Sequence, residues 1–393
     1  PSPDHRWIAF RERQQYYVMP WHETGNRITV SALAGEVPAH RLTEGGGFAL
    51  AWSQDSSALT WSLGPQLFRA ALRPGAAPVV RPLADAGLVV PPDVPSGSIA
   101  FTNARILTMR GDEVIERGTI VVAGNRIRAV GASDAVELPA GARVIDAAGR
   151  TVMPGLVDAH GHIDCCWRAG TMPQKQPAHY AALAYGVTTN FDPYPNELTS
   201  FESGETQLAG FTVGPRWITT GAAIWGRPQN GSNDYTPIDS LDDARRAIAR
   251  KQALGAPIVK SYRYPGRRAR QMLVAAGREA GVMVDVEGES QFYNNITHVL
   301  DGHTNLEHNL PVASYYDDIV RLFAGARAHN TPTLVVTFGE LFGENYLYQT
   351  TEAWKEPKVK SFVQEALTGY SPLRSPYGAP PWVRAMTTIQ AAE

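Results

Sequence analysis

Thr151-Val152-Met153-Pro154-Gly155-Leu156-Val157-Asp158-Ala159-His160-Gly161-His162-Ile163-Asp164 is the stretch around which this 393-residue chain is read. A short apolar run, broken by turn residues, leads into two histidines separated by one glycine. If Leu156 to His162 is a strand, side chains alternate, so His160 and His162 project to one side and Gly161 to the other. Two imidazoles placed that way can chelate one divalent cation. Two histidines in a polar loop would give the same letters, so the rest of the chain has to decide.

Downstream of about residue 154, short apolar segments alternate with helical ones. The strand candidates are Leu156–His160, Val187–Phe191, Arg216–Thr220, Ile258–Tyr262, Val282–Val286, Asn305–His308 and Thr333–Thr337. Between them, Asp239-Ser240-Leu241-Asp242-Asp243 supplies an N-cap and first-turn acids, with Gly255 as a stop. Arg268 to Ala280 puts Met272, Leu273, Ala276 and Ala280 on one face, and Ser314 to Ala328 does the same with Ile319, Leu322, Phe323 and Ala326. Successive β–α units imply a parallel sheet, open or closed into a barrel. Seven strands are one short of an eight-stranded barrel.

Upstream the pattern is all β. Ser2-Pro3-Asp4-His5-Arg6-Trp7-Ile8-Ala9-Phe10 returns as Ser53-Gln54-Asp55-Ser56-Ser57-Ala58-Leu59-Thr60-Trp61, and Tyr16-Tyr17-Val18 as Leu67-Phe68-Arg69. A turn, a strand, a polar break and a second strand at this period suit propeller blades over residues 1–92. Pro91 to Gly97 reads as a linker. Short strands at Ile99–Phe101, Ala104–Leu107, Thr119–Val122, Arg126–Val130 and Arg143–Asp146, separated by Gly111, Gly124-Asn125 and Gly131, imply a small β-sandwich or sheet over residues 93–153. Residues 154–393 hold the β–α units.

Composition narrows the partners. The net charge is -2 and there is no basic stripe, which argues against nucleic acid or an anionic membrane surface. No apolar stretch reaches membrane-spanning length. The two cysteines, Cys165 and Cys166, are adjacent, so no disulfide framework is expected. The opening Pro1-Ser2-Pro3-Asp4 falls inside the repeat, so a fragment or processed chain is expected, without its true N-terminus.

In a barrel, function sits at the carboxyl ends of the strands. That edge carries His160, His162, Asp192, Lys260, Glu287 and His308. Lys260 closes an apolar strand, where an ammonium is costly to bury unless paired or modified. Asp192 reads as a turn cap beside Pro193. His303 and His308 are five apart across a strand and cannot share a side, and His308 is the better ligand candidate. His179, His298, His329 and the N-terminal histidines read as surface or turn residues. Tyr262, Arg263 and Arg267 could hold a substrate carboxylate. The aromatics Trp225, Tyr235, Phe342, Tyr346 and Tyr348 point to a bulky or apolar substrate group, or to loop packing.

The run from Ile99 to about Thr337 resembles the amidohydrolase superfamily, in particular its imidazolonepropionase-like and prolidase-like branch. The resemblance is carried by Ala104–Leu107 through Asp146–Arg150, Val152–His162, Gly186-Val187-Thr188-Thr189, Gly214-Pro215-Arg216 with Thr220-Gly221, Val259–Tyr262 and Leu306-Glu307-His308. The Ser-Pro-Asp…Trp repeat resembles TolB-like propellers, which precede such barrels in some large bacterial enzymes. The resemblance implies an α/β, (β/α)8-type barrel lacking strand eight, truncated at both ends. It also implies His160 and His162 on a first metal, a carboxylated Lys260 bridging a pair, and His308 as the strand-six ligand.

One or two zinc ions are expected from these donors, and metal-bound hydroxide would attack an amide or cyclic amide of a small peptide-like substrate. At the usual second-metal histidine stands Glu287, which would have to substitute. The strand-eight aspartate, the family's general base, is not in the chain, so no catalytic residue can be named. Open edges lead us to expect a homo-oligomer or a second polypeptide supplying strands. The TolB-like part favours a periplasmic or secreted location. Two other readings stand beside this one. One is a non-catalytic binding or interaction protein on a truncated barrel. The other is an open doubly wound α/β enzyme, although no Gly-rich phosphate loop follows any strand.

Overall fold

A computed structural model describes residues 1–23, 25–163, 175–226, 235–262, 266–289, 291–312, 314–333, 352 and 355–362. The repeat seen in the sequence is a repeat in space. Ser2 Oγ donates to Asp4 Oδ1 and Ser53 Oγ to Asp55 Oδ1, each at 2.6 Å. Trp7 N donates to Ser2 Oγ at 3.0 Å, and Ala58 N to Ser53 Oγ at 2.9 Å. His5 and Ser56 both sit at φ 60°, closing the two turns alike.

The turns open β1 (Trp7–Glu12) and β5 (Ala58–Leu63). β1 pairs antiparallel with β2 (Gln15–Pro20), and β2 with β3 (His40–Arg41). β4 (Phe48–Trp52), β5, β6 (Gln66–Ala71) and β7 (Val79–Asp85) form a four-stranded antiparallel sheet. One core spans both sheets, with Trp7, Tyr16, Val18, Leu42, Leu59, Trp61, Ala70 and Leu72 buried together.

Residues 98–152 form one five-stranded mixed sheet. β8 (Ser98–Leu107) lies beside β9 (Val114–Ala123), which turns at Gly124-Asn125 into β10 (Arg126–Ala132). β11 (Arg143–Asp146) and β12 (Thr151–Val152) join β8 in parallel.

The β–α units then follow in order: β13 (Leu156–Asp158), α1 (Pro177–Ala184), β14 (Val187–Asp192), α2 (Glu197–Leu208), β15 (Arg216–Thr219), α3 (Leu241–Ala253), β16 (Ile258–Ser261), α4 (Arg267–Ala280), β17 (Met283–Glu287), α5 (Phe292–Asp301), β18 (Asn305–Glu307), α6 (Asp317–Ala326) and β19 (His329–Thr331). The strands pair in parallel as two sheets, β13-β14-β15 and β16-β17-β18-β19. Among the described residues a single bridge, Ile224 to Ser261, joins them, with Ile224 N donating to Lys260 O at 2.8 Å.

Local chemistry explains the helices that flank the second sheet. Ser240 caps α3 in a reciprocal capping box with Asp243, and Arg250 and Lys251 sit at its carbonyl end. α4 stops at Gly281, whose φ of 68° suits glycine. Alternation along the strands sends Val259, Val284, Val286 and Leu306 toward the helices, where α3 and α4 add Ala244, Ile248, Leu273 and Ala276. The opposite face therefore receives Lys260, Asp285, Glu287, Asn305 and Glu307.

The seventh strand lies earlier than expected. The apolar Leu334-Val335-Val336 suggested Thr333–Thr337, but Asn305 pairs with His329 and fixes β19 at residues 329–331. Thr333 follows the strand, and residues 334–337 lie outside the described set, as do the adjacent cysteines.

The N-terminal sheets are fastened to the β–α part through α3. Arg250 donates to Gly45 O and, at 2.7 Å, to Glu197 at the start of α2, while Lys251 also pairs with Glu197. Burial opposes ionisation of Glu197, but Lys251 and Arg250 outweigh it and hold the carboxyl down at about 2. An ordinary glutamate titrates higher, so this cluster adds stability above about pH 4.5. That contribution fades as the pH falls toward about 2. Glu197→Gln is expected to destabilise the protein by about 3 kcal/mol at pH 7. Urea unfolding should show the gap narrowing at pH 3. An equal gap at both pH values would contradict this account.

Candidate metal centre

β13 ends at Asp158, two residues short of the expected end at His160. The histidines are set by a turn instead of by strand alternation. Asp158 Oδ1 accepts from His160 N at 3.1 Å, Gly161 N donates to Phe191 O at 2.9 Å, and Asn190 Nδ2 donates to Gly161 O at 2.8 Å. The two rings still meet, with Nε2 atoms 3.2 Å apart. Gly161 is required between them, since a Cβ there would lie 2.1 Å from Asn190 Oδ1 and 2.6 Å from Asp158 Oδ2.

Behind each ring stands a carboxylate. His160 Nδ1 lies 2.6 Å from Glu307 Oε2, and His162 Nδ1 lies 2.8 Å from Asp192 Oδ1. Both carboxylate side chains are fully buried. A carboxylate on Nδ1 favours the tautomer whose Nε2 carries a lone pair, the arrangement found behind metal-binding histidines. Burial, aided by nearby Lys260, pushes the His160 pKa down to about 3, so its ring is neutral. Two Nε2 lone pairs aimed at each other repel, and a cation between them removes that repulsion. This donor set therefore fits a divalent metal.

The second sheet supplies the remaining donors. Ligand atoms of His160, Glu287 and His308 all lie within 4.8 Å of one another, a His/Glu/His cluster able to hold a metal ion. Glu287 ends β17, and His308 follows β18. His308 Nε2 lies 2.8 Å from Glu287 Oε1, and its Nδ1 lies 2.9 Å from Thr333 Oγ1. His308 adopts φ 66°, a left-handed conformation that costs a non-glycine residue on the order of 1 kcal/mol. It is held there by its N–H on Thr331 O at 2.9 Å and by Asn330 Nδ2 on its carbonyl at 2.7 Å.

Lys260 is 1% exposed and ion-paired with Glu287. That pairing is one sufficient reason for a lysine at the end of an apolar strand. Burial opposes ionisation of Glu287, but His308 and Lys260 bring its pKa down to about 2. Burial, reinforced by Glu307, raises Asp285 well above the usual carboxylate range and favours its protonated form.

Several sequence readings change. Asp192 does cap a turn, accepting from Tyr194 N at 3.1 Å, but it also orients His162. Arg267 forks onto Asp301 at 2.9–3.0 Å, tying α4 to α5. Tyr262 packs against Trp225 with the ring planes tilted by 37°, whereas Arg263 lies outside the described residues. Tyr235 packs under Arg13 of the N-terminal part, and Phe342, Tyr346 and Tyr348 are likewise outside the description.

His179 and His298 are buried, not surface residues; His179 stacks on Trp217 and His298 meets the His303 ring edge-on. Their helices present these positions inward, which a residue-by-residue reading of polarity misses. Glu307 was passed over as the neighbour of His308. Its signal was the alternation that places it beside Asn305 and opposite Leu306.

No family model matches the chain. Over 104 residues, 25% of its length, it is 36% identical to adenine deaminase 2 of Bradyrhizobium sp. (strain ORS 278), covering 16% of that enzyme. Over 65 residues, 16% of the chain, it is 47% identical to the 5-methylthioadenosine/S-adenosylhomocysteine deaminase of Symbiobacterium thermophilum, covering 15% of it. Over 67 residues, 16% of the chain, it is 42% identical to the imidazolonepropionase of Roseobacter denitrificans, covering 17% of it. The chain thus spans about a sixth of the length of the curated relatives it matches. These relatives are enzymes acting on C–N bonds, and the likeness supports the amidohydrolase superfamily.

Among solved structures, a Xaa-Pro dipeptidase with bound methionine superposes with TM-score 0.52 at 18% identity, over 70% of this chain and 74% of that one. An amidohydrolase gives 0.51 at 22% identity, over 75% and 73%. A prolidase complexed with N-methylphosphonate-L-proline gives 0.51 at 20%, over 70% and 76%. At these identities the likeness is one of mixed α/β fold.

Proposed function

We propose that this chain carries the metal site of a hydrolase that cleaves amide or cyclic-amide C–N bonds in a small peptide-like substrate. The observation that carries the reading is the meeting of His160, His162, Glu287 and His308 at neighbouring strand ends, with Glu307 and Asp192 behind the first two rings. Imidazole nitrogens with a carboxylate oxygen favour zinc. A divalent cation there would supply Lewis acidity, acidifying water and polarising a carbonyl oxygen. Glu307 and Asp192 orient the two imidazoles, and Thr333 and Asn330 hold His308.

Lys260 as it stands neutralises Glu287. Carboxylated by carbon dioxide, it would become a further oxygen ligand bridging two ions. In the same reading, the two parallel sheets are arcs of one (β/α)8-type barrel, which the Ile224–Ser261 bridge supports. The repeated Ser-x-Asp turns support partial TolB-like blades.

Metal analysis of the purified protein is the test. At least one zinc per chain is expected, with loss of amide hydrolysis on chelation and its return with zinc. Isotope-labelled bicarbonate should label Lys260. No bound divalent metal together with an unmodified Lys260 would falsify the enzyme reading in favour of a binding protein. The relatives named as an adenine deaminase and a 5-methylthioadenosine/S-adenosylhomocysteine deaminase favour a second reading, deamination of a purine-like ring. Ammonia release from purines, against amino-acid release from dipeptides, separates the two.

A further inference from the structure

Three aromatic rings, from the segments that follow β14, β15 and β16, stand together. Tyr194 lies two residues beyond β14, Trp225 next to the Ile224 bridge, and Tyr262 one residue beyond β16. The Trp225 and Tyr262 centroids are 4.0 Å apart, and Tyr194 lies 5.8 Å from Trp225 and 5.4 Å from Tyr262. Trp225 Nε1 donates to Tyr194 Oη at 3.0 Å, which fixes the phenol in place. Trp225 is 8% exposed and Tyr194 38%, so one held ring faces outward with the indole packed behind it.

This group is near the metal-binding donors. The Glu287 carboxylate adds to burial in raising the Tyr194 pKa, and Asp192, two residues before Tyr194, orients His162. Glu287 is already engaged by Lys260 and His308, and the exposed ring of Tyr194 offers an aromatic face. Rings held rigid in this way lose little entropy on binding and stack best against flat groups.

We propose that Tyr194, backed by Trp225 and Tyr262, is the specificity wall of the site and receives a flat apolar ring carried by the substrate. The proposal rests on the metal-hydrolase reading, and its test separates the two. Benzohydroxamate and acetohydroxamate share one metal-chelating head and differ in the ring. Titrated calorimetrically into the zinc-loaded protein, the former should bind about tenfold tighter.

Tyr194→Ala and Tyr194→Leu should bring that ratio to about one, with acetohydroxamate affinity held within about twofold, and Tyr194→Phe should preserve it. Equal affinities in the unaltered protein, or a ratio that survives both ring-less variants, would overturn the wall alone. Failure of the unaltered protein to bind acetohydroxamate would overturn the metal reading and the wall with it.

Discussion

His160→Ala is expected to weaken zinc binding by at least about a hundredfold and to destabilise the fold by about 2 kcal/mol. His160 is the residue through which the two sheets' donors communicate. It lies 3.2 Å from His162 on one side and belongs to the cluster with Glu287 and His308 on the other. Its removal also leaves the fully buried Glu307 without its 2.6 Å partner. The stability loss comes from that stranded carboxylate, since burial already raises the Glu307 pKa. Competition against a chromophoric chelator reads the affinity, and urea unfolding of the metal-free protein reads the stability. Unchanged zinc affinity would remove His160 from the ligand set.

Gly288→Ala should be at least as damaging although it touches no donor atom. A Cβ at Gly288 would lie 2.2 Å from the Glu307 carbonyl oxygen, the acceptor of Gly288 N at 3.0 Å. Backbone cannot swing aside as a side chain can, so the ends of β17 and β18 must part. Glu287 and His308 leave from those ends, and their 2.8 Å contact would be lost. A destabilisation of about 3 kcal/mol is expected, with loss of metal binding. Gly281→Ala is the matched control: its φ of 68° strains alanine but its surroundings are open, so about 1 kcal/mol and normal metal binding are expected. Equal behaviour of the two variants would refute the argument.

The order of β–α units, the capped α3 and the repeated N-terminal turn could all be read in the sequence, because each is written in contiguous residues. Which polar residues follow each strand could be read for the same reason. What could not be read was pairing across the fold. Glu307 looked like a neighbour of His308, but it faces His160, 147 positions away. Arg267 looked like a partner for substrate, but Asp301 on the next helix claims it. Lys260 calls for a partner or a modification in the sequence, but only the fold identifies Glu287 as that partner. His179 and His298 looked like surface residues because helical facing depends on what lies opposite, which one chain segment does not record.

The Ile224–Ser261 bridge has a thermodynamic consequence. Among the described residues it is the only strand pairing between the half carrying His160 and His162 and the half carrying Glu287 and His308. A cation gripped by both halves would act as a cross-link over this thin seam. It would lengthen the lifetime of the closed arrangement, and the midpoint of thermal unfolding would climb with the logarithm of free zinc concentration. Amide exchange near the seam, at Ile224 and Tyr262, would slow in step, because opening there would first require the ion to leave.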